Sequence, residues 1–149
     1  MLEQKIYNDY VQALKQRDRE KTTFLSFIRA ALKNQAIDLR KDKLSDEETL
    51  AVLAKERKRL RDAHETIANS QRQDALDEIK RQLALLEAYL PQELDSEKLA
   101  AIINEAIAEE NASSIKEMGK VMKHVLAKVG TQADAKKVSE LVKQRLSAL

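Results

Sequence analysis

The chain has 149 residues, enough for one ordinary domain or two small ones whose cores need no covalent staples. It contains no cysteine and no tryptophan, and its 27 basic and 25 acidic residues leave a net charge of only +2. This excludes disulfides, thiolate catalysis and sulfur-ligated zinc, and it excludes a polycation that coats nucleic acid along its whole length, so any basic surface for a partner must be local.

Only Gly119, Gly130 and Pro91 interrupt a sequence dominated by alanine, leucine, glutamate, lysine and arginine, the strong helix formers, so the expected fold class is all-α. Apolar residues recur at helical spacing in seven segments. The first runs from about Leu2 to Gln16 with Leu2, Ile6, Tyr10, Ala13 and Leu14 on one face. A second starts near Asp18, presents Leu25, Ile28, Leu32 and Leu39, and ends at the charged turn Arg40 to Lys43. The third opens with a capping box, Ser45 with Glu48, and carries Leu50, Leu53, Leu60 and Ile67. Polar residues Asn69, Ser70 and Gln71 then break the stripe before a fourth helix with Leu76, Ile79, Leu83 and Leu86 to Leu90.

Pro91 disfavours helical geometry in the residue before it, and Gln92 to Asp95 has no periodicity, which makes this stretch the predicted domain boundary. The expected organisation is an N-terminal four-helix region over residues 1–91 and a C-terminal three-helix unit over 94–149. Asp95 or Ser96 caps the fifth helix, with Leu99, Ile102, Ile103 and Ile107. A second capping box, Ser114 with Glu117, is predicted to open the sixth, which closes near Gly130. Asp134 caps the seventh, with Val138, Leu141, Val142, Leu146 and Leu149 as its stripe.

Glu3, Lys5 and Asp9 stand where a signal peptide needs an apolar run, and no unbroken apolar stretch exceeds the five residues of Leu99 to Ile103. A cytoplasmic protein with no membrane segment is expected. His64 and His124 fall in different predicted units with no motif to pair them, and the acidic residues are scattered among lysines and arginines as on solvated faces. No Gly-rich phosphate loop and no nucleophile motif is present, so the sequence assembles no catalytic residues, no metal site and no cofactor site of its own.

Two basic features stand out. Lys55, Arg57, Lys58, Arg59 and Arg61 crowd the third helix, but at 100° per residue they wrap around it, with Arg57 at the edge of the apolar stripe. The second feature is better organised. Residues 91–110 carry a net charge of −5 and residues 111–149 a net charge of +5, so the last two helices form a basic unit hidden by the neutral total. On the sixth helix Met118, Val121, Met122, Val125 and Val129 make one apolar face, and Lys116, Lys120 and Lys123 fall within about 60° of one another on the opposite side. A lysine row at one-turn intervals suits either a solubilising face or a run of phosphates.

The segments Leu86-Glu87-Ala88-Tyr89-Leu90-Pro91, Met118-Gly119-Lys120-Val121-Met122-Lys123 and Ala133-Asp134 resemble the GatB/YqeY family, as do Leu32 to Ile37 and the Arg72-Gln73-Asp74 corner. The resemblance covers essentially the whole chain, and the last three helices are similar to the tail domain of the B subunit of glutamine-dependent aspartyl/glutamyl-tRNA amidotransferase. It implies contact with tRNA or other RNA, with Lys120 and Lys123 as candidate contacts; the basic charge of the last two helices extends the candidate set to Lys116, Lys128, Lys136 and Lys137, and the N-terminal helices are left as a surface for a protein partner. The chain departs from the family pattern in carrying Thr131 and Gln132 where a basic residue precedes Ala133-Asp134. It also has Ser26 and Gln82 where an arginine and a glutamate are expected to pair.

The leading expectation is an RNA-associated accessory protein related to the amidotransferases. The rival is a helical adaptor that binds protein alone, with the lysine row merely solvated. A third reading, help in amide transfer within a glutamine-dependent carbon-nitrogen ligase, follows from the family name and has no residues here to carry it.

Overall fold

The computed structural model describes all 149 residues, and every regular element in it is helical. The seven α-helices are α1 (Leu2–Lys15), α2 (Arg19–Asp38), α3 (Asp46–Ile67), α4 (Gln73–Glu87), α5 (Ser96–Glu109), α6 (Met118–Val129) and α7 (Ala135–Ser147), with 3₁₀ turns at Ile115–Glu117 and Gly130–Gln132. The chain divides into two compact units, Met1–Leu90 with α1 to α4 and Pro91–Leu149 with α5 to α7. No helix is long and apolar enough to cross a membrane.

Each unit has its own core. In the first, Ile6, Phe24, Leu25, Ile28, Leu32, Leu53, Leu60 and Leu86 are buried together. In the second, Leu99, Ile103, Val121, Val125, Val138, Val142 and Leu146 are. All of those residues but Phe24 fall on the predicted stripes, because helical spacing is what lets one face leave water while the other stays in it. The stripe ends behave differently: Leu14, Leu39 and Leu149 are all exposed, since each sits at or beyond the last turn of its helix, where no neighbour reaches.

The capping residues act as expected at most starts. Asp18, Asp95 and Asp134 accept hydrogen bonds from the amides of Lys21, Lys98 and Lys136. Ser45 and Glu48 form the reciprocal box, and Glu48 is also bound by Lys41, which together with the Ser45 amide holds its carboxyl below the usual glutamate range. The second box is corrected. Ser114 precedes a 3₁₀ turn and makes no side-chain cap, while Glu117 reaches back one residue further, to the amide of Ser113. The tighter winding of a 3₁₀ turn shifts the amide that a carboxylate three or four residues on can reach.

Helix ends use a device the composition hides. Arg17, Arg40 and Asn111 all adopt left-handed backbone, with φ of 56°, 56° and 52°. Around each, paired backbone bonds close the helix: Arg17 to Leu14 with Asp18 to Ala13, Arg40 to Ile37 with Lys41 to Ala36, and Asn111 to Ala108 with Ala112 to Ile107. This is the Schellman arrangement, usually given to glycine. The crossing from α2 to α3 is tied to α1, where the Leu2 amide donates to Asp46 (2.8 Å) and the Leu44 amide to Glu3 (3.0 Å).

Candidate nucleic-acid interface

α6 is the element on which the basic unit turns. Val121, Val125 and Val129 are buried and Met118, Met122 and Leu126 pack beside them, so one side of α6 is committed to the core. Lys120 and Lys123 stand on the other side and are exposed. Lys116 is exposed as well, but it belongs to the preceding 3₁₀ turn, so only Lys120 and Lys123 share the frame of α6.

The other candidate lysines separate from this pair. Lys128 lies at the edge of the apolar stripe, and its Nζ meets Glu105 of α5 at 3.1 Å. That contact holds the Glu105 carboxyl below the usual range. Lys136 and Lys137 are exposed on the first turn of α7, where two positive charges oppose the helix dipole and so add nothing to helix stability.

The acidic end of α5 faces α6. His124 Nε2 lies 2.8 Å from Glu109, and Nδ1 lies 3.1 Å from Glu110. The negative charge of residues 91–110 is therefore spent in part on α6 itself, while Lys120 and Lys123 are left outward. Glu117 lies within the electrostatic reach of the row. Its pKa is lowered chiefly by the Ser113 amide, with the Lys120 charge a smaller contribution.

The basic run of α3 does not make a comparable surface. Arg57 is only 4% exposed and sits with Thr49 as a buried polar residue in the first unit. No buried side-chain nitrogen or oxygen lacks a hydrogen-bond partner, so this guanidinium is satisfied inside the fold. Arg59 pairs with Glu56 at 2.8 Å and Arg61 with Glu87 at 3.7 Å. Ser26 is exposed on α2, a position where an ion pair would be solvated instead of buried. His64 is half-buried, and no group of three or more His, Asp or Glu side chains is arranged to hold a metal ion.

Helices throughout, with two separate cores and no strand, define an all-α protein. The sequence model of the YqeY-like proteins matches residues 3–146, and the chain belongs to that family. No individually curated protein matches it.

Proposed function

We propose that the unit Pro91–Leu149 binds RNA, with Lys120 and Lys123 on α6 and Lys116 before it contacting phosphates. The observation that supports this reading is that Lys120 and Lys123 are exposed opposite the Val121 and Val125 face, with Lys116 exposed on the turn before it, while the neighbouring Lys128 is held by Glu105. Lys136 and Lys137 extend the charge on α7. The likeness of Met118 to Lys123 to the amidotransferase B-subunit tail makes tRNA the RNA to test first, and an accessory role beside a glutamine-dependent tRNA amidotransferase the context. Fold and packing do not need the three lysines, so changing all three to glutamine leaves the fold intact, exposed substitutions of this kind costing under about 0.5 kcal/mol.

The test is a titration of bulk tRNA into the full chain at several salt concentrations. Log affinity falls linearly with log salt, and the triple change K116Q/K120Q/K123Q flattens the slope by about 0.7–0.9 per lost phosphate contact. An unchanged affinity and slope in a folded variant would leave the lysines as a solvated face and favour the adaptor reading, in which the first unit docks protein.

A further inference from the structure

The first unit carries a cleft that the lysine face does not explain. It lies among α2, α3 and α4, has a volume of about 640 Å³, and is lined by Arg19, Glu20, Phe27, Arg59, Glu78 and Arg81 together with Phe24 at its floor. That volume falls within the range of sites that hold small ligands, about 300–1,000 Å³. Three guanidinium groups converge on it from three helices.

Two features of the lining are not needed by the fold. Phe27 is 47% exposed although a buried Phe24 already serves the core on the same helix. Arg19 is the first residue of α2, where a cation is disfavoured by the helix dipole and strengthens the positive potential of the helix start. The Arg59 guanidinium lies over the Phe27 ring, 5.2 Å from its centre, and its Nε is fixed by Glu56 at 2.8 Å. Arg59 keeps more than half of its side chain exposed, so guanidinium surface beside the Phe27 ring remains accessible to solvent. Arg81 is fixed in the same manner, its Nε donating to Glu20 at 2.7 Å. That pairing also neutralises Glu20, one of the two carboxylates in the cleft, and each guanidinium keeps four further N–H donors on its Nη atoms.

A positioned guanidinium plane is a stacking platform for a nucleobase, and guanidinium donors in the same cleft match a phosphate. We propose that this cleft is a nucleotide site, in which a base stacks on the exposed guanidinium of Arg59 and the phosphate is held by Arg19 and Arg81. The nucleotide is either free or part of a single strand, since both present the same base and phosphate. Glu78 disfavours a second phosphate, so a monophosphate fits better than a triphosphate. The site is on different helices from the lysine face and does not rest on it.

The experiment uses the full chain carrying K116Q/K120Q/K123Q, so that phosphate binding by the lysine face is removed and the failure of one reading cannot mimic failure of the other. Adenosine monophosphate, ribose 5-phosphate and a short oligoadenylate are titrated, with amide and side-chain shifts followed by NMR. The expected result is adenosine monophosphate binding roughly tenfold tighter than ribose 5-phosphate, the stacking increment, with shifts centred on Phe27, Arg59 and Arg81. R59K keeps the charge and removes the plane; it should abolish that preference while ribose 5-phosphate binding persists. Binding by the monophosphate identifies a free nucleotide as sufficient, and binding at these residues by the oligonucleotide alone identifies a strand. Measurable and equal affinity for the monophosphate and ribose 5-phosphate, shifts elsewhere, or no binding by any of the three would overturn the proposal. So would an unaltered base preference in R59K whose circular dichroism matches the parent.

Discussion

Replacing Arg17 and Arg40 by glycine should make the first unit more stable, although both residues are charged and exposed. Each holds φ of 56° at the close of a helix, Arg17 after α1 and Arg40 after α2. Left-handed backbone costs an L-residue with a Cβ about 1–2 kcal/mol, which glycine does not incur. Against this, glycine is freer in the unfolded chain, which gives back about 0.4–1 kcal/mol. The net gain is about 0.5 kcal/mol per site. The sites flank α2, whose 20 residues set them some 30 Å apart, so the two effects add to about 1 kcal/mol. For a unit of 90 residues that raises the melting temperature by about 4–8 °C. Thermal and urea melts of R17G, R40G and the double variant, followed at 222 nm, measure it, with R17A as the control that removes the guanidinium but keeps the Cβ. If the glycine variants melt at or below the parent, the arginine side chains contribute more than the strain costs and the reasoning fails. N111G should change little, because asparagine tolerates this conformation.

Three further outcomes follow from particular contacts. Tyr89 donates to Asp9 across the first unit, and burial, reinforced by that bond, pushes its ionisation well above the ordinary tyrosine range; Y89F should cost about 0.5–1.5 kcal/mol in urea melts. Because the folded-state pKa is raised, this contribution is present below about pH 10 and lost as pH rises beyond it, so the parent should lose more stability than Y89F under alkali. The Glu117 carboxyl is lowered below 4.5, first by the Ser113 amide. Its stabilisation is thus present above that value and lost as pH falls through the lower folded-state value, and E117Q should flatten the acid limb of the stability profile. Gly119 lies in α6 with open space where a Cβ would project, so G119A should stabilise the second unit by up to about 1 kcal/mol; an unchanged or lowered melting temperature would contradict that.

Much of the helical pattern was legible in the sequence because single-residue chemistry decides it. Ser45 with Glu48 needs only a three-residue spacing, and Asp18, Asp95 and Asp134 need only a short acceptor before an apolar run. What the sequence hides depends on neighbours or on local winding. Arg57 reads as an edge residue on α3 until the facing helices close over it. Glu117 bonds Ser113 because a 3₁₀ turn intervenes, which periodicity cannot separate from a first α-turn. Arg17 and Arg40 escape notice because the signal for a left-handed close is glycine. In the basic unit the outward placement of Lys120 and Lys123 follows from the Val121 and Val125 stripe, whereas the engagement of Lys128 by Glu105 required the packing of α5 on α6. The cleft at Phe27 and Arg59 has no sequence signature, since its walls come from three helices.

The charges of Pro91–Leu149 sum to zero, with carboxylates concentrated on α5 and lysines on α6 and α7. Such a unit has no monopole with which to pull a polyanion from a distance, and the attraction it does exert is dipolar and damped within about 8 Å at physiological salt. Approach with α5 leading is repelled; approach with the lysine side leading is drawn in. The field therefore acts as an orienting torque more than a lure. On the RNA-binding proposal, a unit polarised in this way would dissociate readily wherever its lysines found no complementary run of phosphates.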